Sequence, residues 1–292
     1  MLEVKDIYKS YNKTEVLHGI SLEVKPGEIH GLIGENSAGK TTLIKCITGI
    51  YKANKGSILI DGEEVYDNPK AKSVLGYVAD SGEYIGFYSI IRMVKTYQNF
   101  YPQFDMEKFN YLNEIFELPL QKTIHSLSKG QKMRLAIMLE IAKKPKYLIL
   151  DEPTSGLDPV AKEAFYKILI KEAEENEIGV LISSHNLSGL EKICDSVTMI
   201  HEGKVDKQMS MEGMKGVLTK INAVFEGGAA PALYNRKDIL RISNVGSIYT
   251  LVIKDYDENT EKELKEIGAS LIEPVNIGLE ELFVTLEESR KE

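Results

Sequence analysis

The run Gly34-Glu35-Asn36-Ser37-Ala38-Gly39-Lys40-Thr41 satisfies G-x-x-x-x-G-K-[ST] at every specified position. Small residues there let successive backbone N–H groups converge on phosphate oxygens, and a helix opening at the lysine adds positive potential. Lys40 is placed to reach the β and γ phosphates of a nucleotide, and the Thr41 hydroxyl to ligate Mg²⁺. Asn36, Ser37, Ala38, Gly39, Lys40, Thr41 and Thr42 are therefore the nucleotide-contacting candidates of this loop. Farther along, the apolar run Tyr147-Leu148-Ile149-Leu150 ends in Asp151-Glu152. Strand alternation puts neighbouring side chains on opposite sides, so the two carboxylates are expected to do different work. Asp151 would hold Mg²⁺ through its water shell, and Glu152 would orient and deprotonate an attacking water as general base.

A third segment, Leu127-Ser128-Lys129-Gly130-Gln131, carries a capping box, with Ser128 as the cap and Gln131 three residues on. The helix it opens runs to Lys143-Lys144 and stops at Pro145. A serine cap followed by glycine leaves an open, positive helix terminus that the phosphate of another molecule can approach.

These segments must be positioned by an α/β framework. Strand-length apolar runs alternate with helical stretches through the first two thirds of the chain, the pattern of a largely parallel core sheet. Strands are expected over 2–8, 15–24, 28–33, 147–150, 180–183 and 197–200, with a hairpin at Asp61-Gly62 after the strand 57–60. The helix after the first loop would anchor it through Leu43, Ile44, Ile47 and Ile50. Between about 85 and 144 the strand signals vanish and a helical insert broken by Pro102 and Pro119 is expected. After about Gly216 the pattern changes again, through Gly227-Gly228 and Pro231, into a small α+β unit over 216–292. Its strands are expected at 239–242, 249–253 and 271–274, its helices at 259–267 and 279–286.

Composition bounds the possibilities. The 292 residues carry 36 Lys and Arg against 44 Asp and Glu, and this net charge of -8 counts against a general nucleic-acid binder. No apolar run approaches the roughly 18 residues of a membrane span, and Met1-Leu2-Glu3-Val4-Lys5-Asp6 is too charged for a secretory signal. Cys46 and Cys194 stand alone in apolar segments, as reduced core thiols of a cytosolic protein do. His18, His30, His125 and His201 show no ligand spacing.

In this order and at this spacing, the phosphate loop, the Leu-Ser-Lys-Gly-Gln signature, the strand ending in Asp151-Glu152, the turn Ser155-Gly156-Leu157-Asp158, and Ser184-His185 resemble the ATP-binding cassette (ABC) ATPases, over about residues 1–215. The resemblance implies a P-loop NTPase fold with a mixed core sheet, an antiparallel β subdomain and a helical insert. It implies two cassettes packed head to tail, each ATP lying between the phosphate loop of one and the signature of the other. Ser128, Gly130 and Gln131 would then serve the ATP of a second cassette, identical or homologous, and Asp158 would cross the seam. His185 would contact the γ-phosphate beside the catalytic glutamate, and Tyr11 would stack on adenine unless it is an ordinary edge-strand aromatic. Catalysis would fall to Glu152, His185 and Lys40, with ATP and Mg²⁺ as ligands and integral membrane subunits as partners on the inner face of the cell membrane.

Two positions depart from the family pattern. Ser37 replaces a usual glycine, and is expected to be harmless through a negative φ. Asp80 replaces a usual Mg²⁺-binding glutamine at the end of Gly76-Tyr77-Val78-Ala79-Asp80, and is expected to join Thr41 and Asp151 at the metal. Tyr84, Phe87, Tyr88, Phe100, Tyr101 and Phe104 follow; most are expected in the core of the helical insert, one or two in a docking groove. The tail from Pro274 to Phe283 resembles that of exporter-type subunits moving a peptide, drug or lipid, with import still open.

Overall fold

Strands in which every residue is buried form the middle of the largest sheet. The computed structural model describes residues 1–12, 14–80 and 86–290. The chain divides into two units, one of Met1–Asn186 with Ile193–Gln208, the other of Leu187–Lys192 with Met209–Glu292.

In the first unit, β1 (Leu2–Tyr11) and β2 (Thr14–Val24) form an antiparallel pair. Then come β3 (Ile29–Ile33), α1 (Lys40–Ile47), β4 (Lys55–Ile60), β5 (Glu63–Glu64), α2 (Pro69–Ser73) and β6 (Leu75–Val78). The insert supplies α3 (Ile90–Phe100), α4 (Met106–Phe116) and α5 (Lys129–Ala142). β7 (Tyr147–Asp151), α6 (Pro159–Asn176), β8 (Gly179–Ser183), β9 (Ser196–His201) and β10 (Lys204–Ser210) complete it. A four-stranded sheet has the order β2-β1-β4-β5, and a six-stranded one the order β10-β9-β3-β8-β7-β6.

Continuous apolar runs suit β3, β7 and β8 because a parallel strand covered on both faces has no wet side. Leu2, Val4, Leu17, Ile20, Ile58 and Ile60 of the four-stranded sheet share one core with Leu43, Ile44 and Ile47 of α1 and with Ile149 and Leu181 of the six-stranded sheet. The first turn of α1 is thereby fixed against both sheets. Ile50 does not join this anchor: α1 ends at Ile47, and Ile50 is 52% exposed. Cys46 and Cys194 are buried free thiols, and burial raises the Cys46 thiol to about 11.

The insert is capped at each helix, by Ser89, Asp105 and Ser128. Its buried residues include Ile90, Met93, Val94, Phe109, Leu112 and Phe116. The aromatics after Asp80 are not this core. Phe87 and Phe100 are 77% and 75% exposed, and Tyr88, Tyr101 and Phe104 are half-buried; Phe100 is on α3, which turns its Ile90, Met93 and Val94 face inward instead. Tyr84 lies outside the described residues.

Glu140 of α5 ties the insert to the sheet. Its carboxylate accepts from the Tyr77 backbone N–H at 3.2 Å and from the Tyr97 hydroxyl at 2.9 Å, and pairs with Lys143 at 2.8 Å. Both charges are nearly inaccessible, and the Lys143 ammonium also lies 4.6 Å from the Tyr101 ring centre.

In the second unit a short helix, α7 (Leu187–Leu190), is followed by β11 (Leu218–Val224), α8 (Pro231–Tyr234), β12 (Ile239–Val245), β13 (Ile248–Lys254), α9 (Glu258–Glu266), β14 (Leu271–Val275) and α10 (Leu279–Glu288). The sheet order is β12-β13-β11-β14, antiparallel throughout. Ile221, Ala223, Phe225, Tyr249, Leu251, Ile253 and Leu264 form its core. β11 is a central strand with no counterpart in the sequence reading, because Thr219, Lys220 and Asn222 dilute its apolar pattern. α10 packs against α7, and the Leu279 N–H donates to Glu191 at 3.0 Å.

Removing one partner of a buried, hydrogen-bonded ion pair leaves an uncompensated charge, which costs about 3–5 kcal/mol. Lys143→Met is therefore expected to lower the unfolding free energy of the first unit by about 3 kcal/mol, read as a fall in its urea midpoint.

Candidate nucleotide site

The site is assembled by four parallel strands that end at one level. β3 pairs with β8, β8 with β7 and β7 with β6, with Leu32 opposite Ser183, Asp151 opposite Ser183, and Val78 opposite Leu150. Beyond these ends run the phosphate loop, the turn carrying Glu152, the segment Ser184-His185, and Asp80. A crevice at the carboxyl ends of parallel strands is where such sheets bind ligands. Here a cavity of about 480 Å³ is lined by Tyr11, Val16, Asn36, Ser37, Gly39, Lys40, Thr41, Thr42, Asp80, Asp151, Glu152 and His185.

The loop turns into α1 through Gly39, whose φ is +105°, and a Cβ there would come 2.7 Å from Leu17. No side chain caps α1, which leaves its first amides without a capping partner, and Lys40, Thr41 and Thr42 of its first turn line the cavity. Ser37 corrects the expectation made for it. Its φ is +69°, in the left-handed region, so the serine carries the strain that a glycine would avoid. Closure of the loop over the helix start imposes that conformation whichever residue occupies it.

Lys40 is almost fully buried, and its Nζ donates to the carbonyl oxygens of Gly34 at 2.7 Å and Glu35 at 3.0 Å. Burial lowers its pKa, opposed by the negative charges of Glu152 and Asp151. Across the cavity, Asp151 accepts from the Ser183 hydroxyl at 2.8 Å, and the same Ser183 oxygen accepts from the Glu152 N–H at 3.1 Å. Glu152 has a φ of +50°, so strand alternation fails at this point. Both carboxylates line the one cavity instead of opposite sides.

Glu152 lies against His185. The His185 backbone N–H donates to Oε2 at 3.2 Å, and Oε1 stands 3.2 Å from Nε2 at ion-pair distance. Oε1 is buried and has no aligned hydrogen bond. Burial raises the Glu152 pKa above the ordinary value of 4.5, against the lowering effects of His185 and Lys40. A carboxylate of that kind is suited to taking a proton from water near neutral pH.

The remaining expected residues divide by position. Tyr11 lies at the cavity mouth, with its hydroxyl 3.5 Å from Thr42 Oγ1 and its ring edge against Tyr51. Ala38 is buried behind the loop, its N–H donating to Glu35. Ser128, Gly130, Gln131 and Asp158 are outside the lining. Ser128 and Gln131 complete the capping box, each side chain accepting from the other's backbone N–H. Asp158 accepts from the Ala161 N–H at 2.9 Å as the cap of α6 and pairs with Arg134 of α5. Val16 joins the lining unannounced by any motif; its neighbour Leu17 is wholly buried, and alternation along β2 turns Val16 the other way.

The fold and the cavity together make this protein a P-loop nucleoside triphosphatase. Comparison with known proteins narrows the class: the family model described as ABC transporter matches residues 17–155, and one of an AAA domain matches 122–190. The ABC transporter ATP-binding protein YtrB of Bacillus subtilis is 30% identical over 97% of each chain. The lantibiotic transport ATP-binding protein SrtF of Streptococcus pyogenes is 31% identical over 74% of this chain and 94% of its own. The bacitracin transport ATP-binding protein BcrA of Bacillus licheniformis is 32% identical over 74% and 71%. Among solved structures, an ATP-binding subunit of an ABC transporter superposes with a TM-score of 0.68, at 29% identity over 74% of this chain and 92% of that one. The chain belongs to the ATP-binding proteins of ABC transporters. It is the ATP-binding, ATP-hydrolysing subunit, and among the described residues no helix is long and apolar enough to cross a membrane.

If Glu152 is the base, the acidic limb of turnover is expected to follow its protonation. Its midpoint is expected above 4.5, and because the His185 charge lowers the Glu152 pKa, His185→Ala moves the limb of the residual rate to higher pH. Measured kcat against pH for both proteins checks this.

Proposed function

We propose that this subunit works on the cytoplasmic face of the cell membrane as one of two head-to-tail cassettes, with ATP and Mg²⁺ at the seam, powering export through separate membrane subunits. In this reading Met1–Asn186 with Ile193–Gln208 form the cassette, ending a little before the expected residue 215, and the other unit is an accessory one. The observation that carries it is the buried Glu152 Oε1 at ion-pair distance from His185, in one cavity with Lys40 and the open end of α1. Export of a peptide-like cargo is supported by the relatives whose names refer to bacitracin and lantibiotic transport.

In the reaction, Lys40 leaves its two loop carbonyls for the β and γ phosphate oxygens, which α1 amides also hold. Glu152 accepts a proton from the water that attacks the γ-phosphate, while His185 keeps the carboxylate turned toward that water. Thr41, Asp151 and Asp80 offer hard oxygen ligands in one cavity, the donor set that Mg²⁺ requires. Bound there, Mg²⁺ would neutralise charge on the phosphate oxygens. Ser128, Gly130 and Gln131, absent from this chain's own cavity, are available to the nucleotide of the second cassette, with Asp158 at the seam between them.

Glu152→Gln keeps the shape of the site and removes the base. It is expected to bind ATP, accumulate as a stable dimer in size-exclusion chromatography, and turn over at least about a hundredfold more slowly. Rapid hydrolysis by this variant would overturn the assignment of Glu152. Tyr11→Ala is expected to raise KM for ATP and GTP alike by about five- to a hundredfold with kcat little changed, as loss of a stacking ring does.

A further inference from the structure

Tyr11 is the last residue of β1 and is 39% exposed, so the core does not hold its ring. A side chain that must be ordered when its ligand arrives loses affinity in doing so. Two neighbours order this one beforehand. Tyr51 meets Tyr11 edge to face, with ring centres 5.8 Å apart and planes at 80°. The Lys9 ammonium lies 5.6 Å from the centre of the Tyr11 ring and 5.6 Å from that of Tyr51, within reach of a cation–π contact to each.

These supports are themselves tied down. The Tyr51 N–H donates to the carbonyl of Lys45, in the last turn of α1, at 2.9 Å, and the Lys45 ammonium lies 5.4 Å from the Tyr51 ring centre. Lys52, the next residue, offers its carbonyl to Lys9 Nζ at 2.8 Å. Asn54 then donates its N–H to the Tyr8 carbonyl at 2.8 Å, and its side chain accepts from the Ser10 N–H at 2.7 Å. The segment 51–54 is thus bonded both to the end of β1 and to the helix whose first turn lines the nucleotide cavity.

Tyr11 and Thr42 line that cavity, whereas Lys9, Lys45 and Tyr51 do not. The second ring and the cation therefore support Tyr11 from outside the cavity. An ammonium on one face of an aromatic ring draws π density toward itself and leaves the other face less negative, which suits stacking on an electron-rich purine.

We propose that Tyr51 and Lys9 are positioning residues for the nucleobase, holding the Tyr11 ring from its outer side so that its inner face is set for a purine before the nucleotide arrives. The proposal rests on the stacking role given to Tyr11 above. It adds two residues that belong to none of the phosphate-binding or signature runs, and it confines their effect to the base.

Steady-state kinetics with Mg²⁺ and ATP test it, with inorganic tripolyphosphate, which has the phosphates and no base, as a competing inhibitor. Edge-to-face and cation–π contacts at exposed sites each convert to about a two- to fivefold change in an equilibrium constant. Tyr51→Leu and Lys9→Met are each expected to raise KM for ATP about two- to fivefold with kcat unchanged, while tripolyphosphate inhibits as it does the parent. Tyr51→Phe and Lys9→Arg keep the ring and the cation, and are expected to keep the parent KM. With Tyr11→Ala already in place, Tyr51→Leu and Lys9→Met should change nothing further. Lys9→Met serves where loss of the Tyr51 ring disturbs folding. An unchanged KM in Lys9→Met, an equal rise in the Tyr11→Ala background, or a matching loss of tripolyphosphate inhibition would each overturn the positioning role. A Tyr11→Ala protein with the parent KM would overturn stacking itself, a distinct result.

Discussion

The parallel register of β3, β8, β7 and β6 is the constraint on which the site depends. Adjacent strands in such a sheet stand about 4.8 Å apart, so four neighbours ending at one level bring four loops within reach of a ligand the size of a triphosphate. None of the loops is close to the next in sequence, and only the ladder makes them neighbours. A slip of one residue in β7 would turn Asp151 from the cavity toward the other face of the sheet. Burial of the strands on both faces opposes that slip, because it would carry the Asp151 carboxylate into an apolar layer. The same cores that hold the sheets also seat α1, so the phosphate loop and the carboxylates are referred to one rigid frame.

Inside that frame, burial and charge act against each other. Low polarity pushes Lys40 toward its neutral form and Glu152 toward its protonated one, while their mutual attraction favours the ionised form of each. An arriving polyphosphate alters this balance in a useful direction. Its negative charge favours the ammonium of Lys40 and disfavours ionised Glu152, raising the carboxylate's affinity for a proton at the moment when one must be removed from water. His185 works the other way, lowering the carboxylate's affinity for a proton and so limiting the effect. Neighbouring Asp151 is kept to a different task by its hydrogen bond from Ser183, a hydroxyl that also anchors the Glu152 backbone.

Much of this was legible in the sequence because the chemistry lies in short contiguous runs. The phosphate loop, the carboxylate-ended strand and the capping box each announce themselves within eight residues, and eleven of the cavity's lining positions belong to residues named from the chain alone. What escaped depended on closure in three dimensions. The left-handed backbone of Ser37 is imposed by the loop that contains it, and that of Glu152 carries both acids to one side in defiance of alternation. Most of the aromatics after Asp80 read as core by residue type, yet Phe100 is exposed because α3 turns a different face inward, and Phe87, ahead of that helix, is exposed as well. Val16 carries no chemical signal and acquires its place from the hairpin around it. β11 was hidden by its own polar residues, although it lies between two partners.

The division of the chain has a practical meaning for how the protein can be dissected. The short helix α7 begins two residues after His185, yet it is counted with the unit that otherwise starts at Met209, and its Glu191 receives the first amide of α10 from almost ninety positions away. The second unit is thus made of two stretches of chain, not of the C-terminal stretch alone. Ending the chain at Gln208 would leave Leu187 and Leu190 without the helix that packs on them, and would strip Glu191 of its bond. The loss would fall on the stretch of backbone that continues directly from His185, so removing the smaller unit disturbs the tether of a residue that lines the nucleotide cavity.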